Sequence, residues 1–303
     1  MGTPSFVMPT LKTLHKKSDL SLIVTGKSKK TGRGLSKINH PEPYLFACEN
    51  NIECIQIDDI KDPYLKERLD DIKPDISMVI AFGFLLPKSI YEIPTYDTIN
   101  IHASLLPKYR GASPIHQSLL SRDVETGVTF QRIVEKIDRG YILFSKSVEI
   151  YDDDDYLSLS SRLSATAGDA TDEFFELLDK DMIRPRPQLE AHASYCKKIK
   201  KEDAIIDWNT DAFDIVAKIK AYTAWPVAFF EGTIGTVKIY KAYASNEKSN
   251  FPPGTVAKSD KQGFAVSCKR GIVYIEELQM QNKKRTDYIS FLNGHRISVG
   301  DNV

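Results

Sequence analysis

Residues 100–115 read NIHASLLPKYRGASPI. An amide and an imidazole, Asn100 and His102, stand two positions apart at the end of an apolar run, and the residues after them form helix or strand poorly. Residues i and i+2 of a strand point to one face, so if "TINIH" (98–102) is a strand, both side chains converge on one small group. Ligands of parallel α/β sheets sit beyond the carboxyl ends of the strands. There "ASLLP" departs as a loop, with Pro107 ending regular structure. Asn offers a neutral donor and His a titratable one, a pair suited to negative charge developing on a carbonyl oxygen. The same residues also suit a structural strand-end histidine beside a turn-forming asparagine, and spacing alone does not choose between the two.

The flanking sequence indicates what kind of sheet this strand belongs to. "LSLIV" (20–24) and "DISMVIAFGF" (75–84) are apolar runs bounded by polar turns, as buried strands are. Between them "DPYLKERLDDI" (62–72) places Tyr64, Leu65, Leu69 and Ile72 at helical spacing. Strand, helix and strand recurring at this interval predict a parallel sheet with right-handed crossovers, an α/β doubly wound fold. "SPIHQSLLSR" (113–122) opens as a helix with a serine cap and an early proline. "GVTFQRIV" and "SKSVEI" follow as late strands, and residues 156–180 form one long amphipathic helix closing a domain over 1–182. The proline- and charge-rich stretch 183–204 is expected to be an inter-domain linker. From 205 to 303 come one helix, "DAFDIVAKIKAY", and several short alternating segments between glycine-bearing turns, the pattern of a small β-barrel.

Composition narrows the class. The 303 residues are 42% hydrophobic and 27% charged, with a formal net charge of zero, ordinary for a soluble globular protein. No apolar run approaches the ~20 residues of a membrane span, and the first residues lack the pattern of a secretory signal. Cys48, Cys54, Cys196 and Cys268 show no metal-ligand spacing, and a core of this size needs no disulfides. These features predict a cytoplasmic protein with free thiols, no metal and no membrane partner; the expectation for its state is a monomer, which composition does not decide. Charge is uneven: 24 basic against 29 acidic groups in residues 1–190, and 17 against 12 in residues 191–303. A basic final third suits a polyanionic partner.

Three further segments bear on chemistry. "AFGFLLPKS" (81–89) ends a second strand with apolar residues able to sandwich a planar ring, or simply to pack on the neighbouring strand end. "VEKIDRGYIL" places Asp138 in a turn, where a carboxylate can orient an imidazole and relay protons through water; Asp-x-Gly is also a common turn. "TGKSKKTGRGLSK" (25–37) carries Lys27, Lys29, Lys30, Arg33 and Lys37 with no acid among them, suited to phosphates or base edges and equally to a solvated loop.

With Asp138 falling 36 positions after His102, the run at 100–115 resembles the 10-formyltetrahydrofolate-dependent formyltransferases, which carry Asn, His and Asp in this order around a Ser-Leu-Leu-Pro loop. "GTPSF" near the start, "TGRG" (31–34), "AFGFLLPKSI", "IDW" (206–208), "AYTAWPVAFF" (221–230) and "FLNGHRISVG" are most similar to the branch of that family acting on initiator methionyl-tRNA. The resemblance spans both domains. It implies a Rossmann-like formyltransferase domain followed by an OB-like barrel that binds tRNA. It implies Asn100, His102 and Asp138 as catalytic residues. Folate contacts, largely through backbone, would come from Phe84, Leu85, Leu86 and Pro87 and from Ser104, Leu105, Leu106 and Pro107. The donor would be 10-formyltetrahydrofolate, and the basic loop with Arg33 would enter the tRNA acceptor arm, although the prolines usual there are replaced by "KSKK". The family has a complete strand ahead of "GTP"; because that strand would be central, the expectation is that Met1 is an internal methionine taken as the start. Rival assignments are a sugar-nucleotide formyltransferase, a formyltetrahydrofolate hydrolase and a catalytically inactive RNA-binding relative.

Overall fold

The computed structural model describes residues 1–31, 37–233 and 235–303. The first half alternates as its periodicity predicts. Helix α1 (Met8–Lys17) precedes β1 (Ile23–Gly26), the short hairpin β2 (Lys29–Thr31) and β3 (Lys37–Asn39), then α2 (Glu42–Glu49) and β4 (Cys54–Ile57). Helix α3 (Pro63–Ile72) starts where Asp62 accepts a hydrogen bond from the Tyr64 amide, with Pro63 in the first turn; both satisfy or remove amides that a helix start leaves unpaired. It leads into β5 (Ile76–Ile80), α4 (Lys88–Tyr91) and β6 (Asp97–His102). Next come β7 (Arg110–Gly111), α5 (Pro114–Leu120), β8 (Glu125–Arg132), β9 (Ile142–Glu149) and the long α6 (Tyr156–Asp179).

β1 pairs with β4 in parallel, and β5, β6, β8 and β9 form a four-stranded sheet in that order. β5 and β6 are parallel, whereas β6–β8 and β8–β9 are antiparallel. β9 therefore returns beside β8, because the 133–141 connection between them is too short for a parallel crossover. Met1 and Gly2 bridge the two sheets: the Gly2 amide donates to the Val24 carbonyl at 3.0 Å and the Ile80 amide to the Met1 carbonyl at 3.0 Å. Alongside them lies a cavity of about 440 Å³ lined by Leu22, Val24, Ile76, Met78 and Phe175 among others.

Residues 183–204 carry β10 (Tyr195–Cys196), which pairs in parallel with β7. Two compact units divide the chain. One comprises Met1–Pro114, Glu125–Glu149 and Ser160–Cys196, and the other Ile115–Val124, Ile150–Leu159 and Lys197–Val303. Most of the stretch expected to be a linker thus belongs to the first unit. In the second unit α7 (Ala212–Ala221), capped by Asp211, precedes β11 (Phe229–Gly232), β12 (Gly235–Ser245), β13 (Val256–Asp260), β14 (Gly263–Ser267), β15 (Ile272–Met280), β16 (Thr286–Asp287) and α8 (Tyr288–Gly294). The strands form an antiparallel sheet in the order β11-β12-β15-β14-β13, with β16 on β15. The apolar stripe of α7, Ile215, Val216 and Ile219, is buried against Phe230, Val237, Ile239, Ile275 and Leu278. The chain's last residues link the outer strands: the Val303 amide donates to Gly254, the Val256 amide to Asp301, and the Thr233 hydroxyl to Asn302.

Candidate active site

β6 pairs Asn100 with Gln131 and His102 with Thr129 across the antiparallel β8. Directly opposed residues share a face, so Asn100, His102, Thr129 and Gln131 form one polar patch on the sheet. His102 is 6% exposed. Its Nε2 lies 2.8 Å from the Tyr109 carbonyl, and a carbonyl accepts only, so Nε2 carries a proton. Nδ1 is left without a committed proton, 3.7 Å from Asp138 Oδ2, too far for a direct hydrogen bond. No described residue hydrogen-bonds the Asn100 amide, which leaves it available to a ligand.

Asp138 sits in the β8–β9 connection with a left-handed φ of 53°. Its carboxylate is held at both oxygens: Gln131 Nε2 donates to Oδ1 at 2.6 Å and the Gly111 amide to Oδ2 at 2.8 Å. Gly111 itself has φ 121°, and a Cβ there would stand 2.2 Å from the Cys196 carbonyl oxygen, so glycine is required on both counts.

The loops expected to hold folate leave the same carboxyl end of adjacent parallel strands, since Ile80 and Ile101 are partners at the ends of β5 and β6. Phe84 and Leu86 pack on the core beside Phe82 and Ile90, while Leu85 is 71% exposed. Pro87 precedes α4. On the other loop, the buried Ser104 spends its hydroxyl on the Lys108 carbonyl at 2.6 Å. Thr129 Oγ1 donates to the Ser104 carbonyl and accepts from the Leu106 amide, and the Leu106–Pro107 bond is cis. Leu106 is buried, and Leu105 and Pro107 are half-buried. The Ser104 hydroxyl is therefore committed within the protein, and what this loop presents is backbone and the edges of Leu105 and Pro107.

Of the basic loop, Lys27 pairs with Asp58 at 2.6 Å on the surface, an acid 31 positions away that inspection of the loop alone could not reveal. Lys29 lies in β2, with no acidic partner among the described residues, and Lys30 follows it in the same strand, paired across to Ile38; Lys37 begins β3. Arg33 falls outside the described residues.

Several residues of the site were not anticipated. Thr129 and Gln131 alternate as polar positions in "GVTFQRIV", a period-2 signal visible in the sequence but not taken up. Gln188, Glu190, Ser194 and Cys196 come from the stretch expected to be a linker. Arg110, 1% exposed, donates to Gln188 at 2.9 Å, to Glu190 at 2.9 Å and to the Tyr195 hydroxyl at 3.2 Å. The Tyr109 amide donates to the Ser194 hydroxyl, and Cys196 Sγ donates to the Tyr109 carbonyl. Burial pushes the Cys196 thiol above its ordinary pKa, with the Asp138 charge adding to the effect; it acts here as a hydrogen-bonding thiol. Among the described residues no three His, Cys, Asp or Glu side chains gather as a metal-ligand set, and no helix is long and apolar enough to cross a membrane.

An uncommitted amide, a tautomer-fixed imidazole and a clamped carboxylate at a strand's carboxyl end equip the site for acyl-type transfer: donors for an oxyanion and a proton acceptor beside them. Residues 1–171 match the family described as formyl transferase, and residues 198–296 match the formyl transferase C-terminal domain. The chain belongs to the formyl transferase family. As such it is an enzyme that transfers formyl groups. Among curated members of this formyl transferase family, the methionyl-tRNA formyltransferase of Geotalea daltonii is 36% identical over 303 residues, 99% of this chain and 96% of that one. Two solved structures of formyltransferases share the fold. WlaRD, a sugar 3N-formyl transferase crystallised in the presence of dTDP and 5-N-formyl-THF, matches with a TM-score of 0.69 and 21% identity over 93% of this chain and 97% of that one. The methionyl-tRNA formyltransferase of Clostridium thermocellum matches with a TM-score of 0.53 and 21% identity over 75% and 94%.

Proposed function

We propose that the enzyme transfers the formyl group of 10-formyltetrahydrofolate to the α-amino group of methionine on initiator methionyl-tRNA, in the cytoplasm, for translation initiation. The observation that carries the choice of acceptor is end-to-end similarity, through both domains, to relatives named for that activity at 36% identity. Residues 1–182 would do the chemistry and residues 205–303 would bind tRNA. The site's polar face supports the chemistry. As the amine attacks the formyl carbon, the N–C bond forms and the carbonyl oxygen becomes anionic; the free Asn100 amide is its donor. His102, with Nε2–H held by the Tyr109 carbonyl, takes a proton from the amine at Nδ1. Asp138 stabilises the resulting imidazolium. The C–N10 bond then breaks and the proton passes to the departing folate nitrogen. Backbone at 84–87 and 104–107 would hold the folate.

The test is formyl transfer by the purified enzyme, supplied with 10-formyltetrahydrofolate and either charged initiator tRNA or a nucleotide-linked amino sugar. Transfer to the tRNA is the expected result; transfer to the sugar alone overturns the acceptor assignment. Arg33→Ala should then lower kcat/KM for the tRNA about ten- to a hundred-fold, the worth of one bidentate contact. The folate KM should stay unchanged, and the salt dependence should become shallower if the contact is to phosphate. An unchanged kcat/KM for tRNA across a salt series would leave residues 25–37 as a solvated loop.

A further inference from the structure

We propose that Gln188 is a positioning residue for Asp138, supplied to the site by the part of the expected linker that belongs to the first unit. The proposal rests on the assignment of Asp138 as the catalytic carboxylate. Gln188 Nε2 donates to the Asp138 carbonyl at 2.9 Å and to the Gly140 carbonyl at 2.8 Å, while its Oε1 accepts from Arg110 Nε at 2.9 Å. One side chain thus grips the turn bearing Asp138 at two backbone points and ties it to the loop following His102. The turn needs such a grip. Asp138 has the left-handed φ that L side chains disfavour, and such a conformation persists where its surroundings over-determine it.

Both ends of the Gln188 amide are used, which explains the residue type. Glutamate would keep the acceptor for Arg110 and lose both donors, whereas lysine would keep donors and set a cation against Arg110. Gln131 completes the arrangement. It donates to Asp138 Oδ1 at 2.6 Å, and its Oε1 lies 3.4 Å from Gln188 Nε2. The Asp138 side chain is thereby fixed from β8 and its backbone from residue 188. The ionisable groups around Asp138 are His102 on β6, Arg110 on β7, Arg139 beside it, and Glu190 beyond Arg110. Gln188 is neutral among them, so it can orient the carboxylate without altering the charge count.

Gln188→Met preserves volume and removes every hydrogen bond. It should lower kcat for formyl transfer about ten- to a hundred-fold, the range for stranding buried polar partners, with KM for folate and for charged tRNA within about two-fold of wild type. Gln188→Glu keeps the Arg110 contact but loses both donors to the turn, so it should lower kcat at least as much and carries the test should the Met variant not fold. In an Asp138→Asn background, single-turnover rates should show no further loss from Gln188→Met, because both changes act through one group. An undiminished kcat for both Gln188 variants, with Asp138→Asn inactive, overturns the positioning role alone. An equal loss in both backgrounds overturns it too, since Gln188 would then support the scaffold generally. Full activity of Asp138→Asn overturns the catalytic assignment and the proposal with it.

Discussion

Residues 97–111 and residues 186–196 lie in one hydrogen-bonded assembly, joined by the β7–β10 pairing and by the contacts of Arg110 with Gln188, Glu190 and Tyr195. Their sequences give opposite impressions. The first has strand alternation, an Asn-x-His pair and a proline-stopped loop. The second, PRPQLEAHASYC when read from residue 185, has the composition of a linker and none of the periodicities that mark regular structure. The difference teaches that a strand announces itself through the face it buries, whereas an irregular segment that hydrogen-bonds to a neighbour leaves no periodic trace.

The largest effect should come from the residue the two regions converge on. Asp138→Asn should lower kcat about a hundred- to ten-thousand-fold, the usual worth of general acid–base catalysis, with folate binding close to wild type. Steady-state kinetics with direct folate titration checks this; full activity would mean that the convergence serves structure alone.

A smaller effect should follow from cutting the charge between the regions. Glu190 is 59% exposed while Arg110 is 1% exposed, so Glu190→Gln leaves a buried guanidinium with no carboxylate at 2.9 Å. Solvent screening at Glu190 reduces the usual cost of breaking a buried pair, and the expected loss is about 2 kcal/mol of stability in urea unfolding. A variant as stable as wild type would show that Gln188 and the Tyr195 hydroxyl alone satisfy Arg110.

The smallest effect sharpens the contrast from just beyond the opening motif. His116, fourteen residues after His102, lies 4.2 Å from Tyr156 and 6.0 Å from Tyr222 by ring centroids, and burial lowers its pKa from 6.5 to about 4. Its folded pKa lies below its unfolded one, so between those values the unfolded chain binds more protons and stability falls as pH falls. Taking the pH from 7 to 5.5 should cost about 1 kcal/mol through this group. His116→Phe should remove that part of the pH dependence; an unaltered dependence would show that His116 is not its source.

Much of the site was legible because its residues lie close in sequence on one strand and loop. Asn100 and His102 needed only the period of a strand to be placed together. Asp138 lay in a recognisable turn, yet nothing local showed that Gln131 and the Gly111 amide would hold its two oxygens. Those contacts depend on β8 running antiparallel beside β6, which the sheet decides. Ser104 stood out for its place in the loop and proves to be an internal brace. Lys27 showed its charge in the sequence, but its partner Asp58 lies at the end of a different strand–loop connection.

By itself the sequence determined the alternation of strand and helix, the break to an antiparallel second unit and the amide–imidazole pair, because burial periodicity and short-range spacing are local properties of the chain. Only the tertiary structure decided which nitrogen of His102 is committed to Tyr109, how Asp138 is clamped and that residues 186–196 pack into the candidate site. Each of these is settled by hydrogen bonds between groups seven to more than eighty residues apart. Such bonds are specified by how elements pack on one another, and the energy that selects them is absent until the sheet has formed.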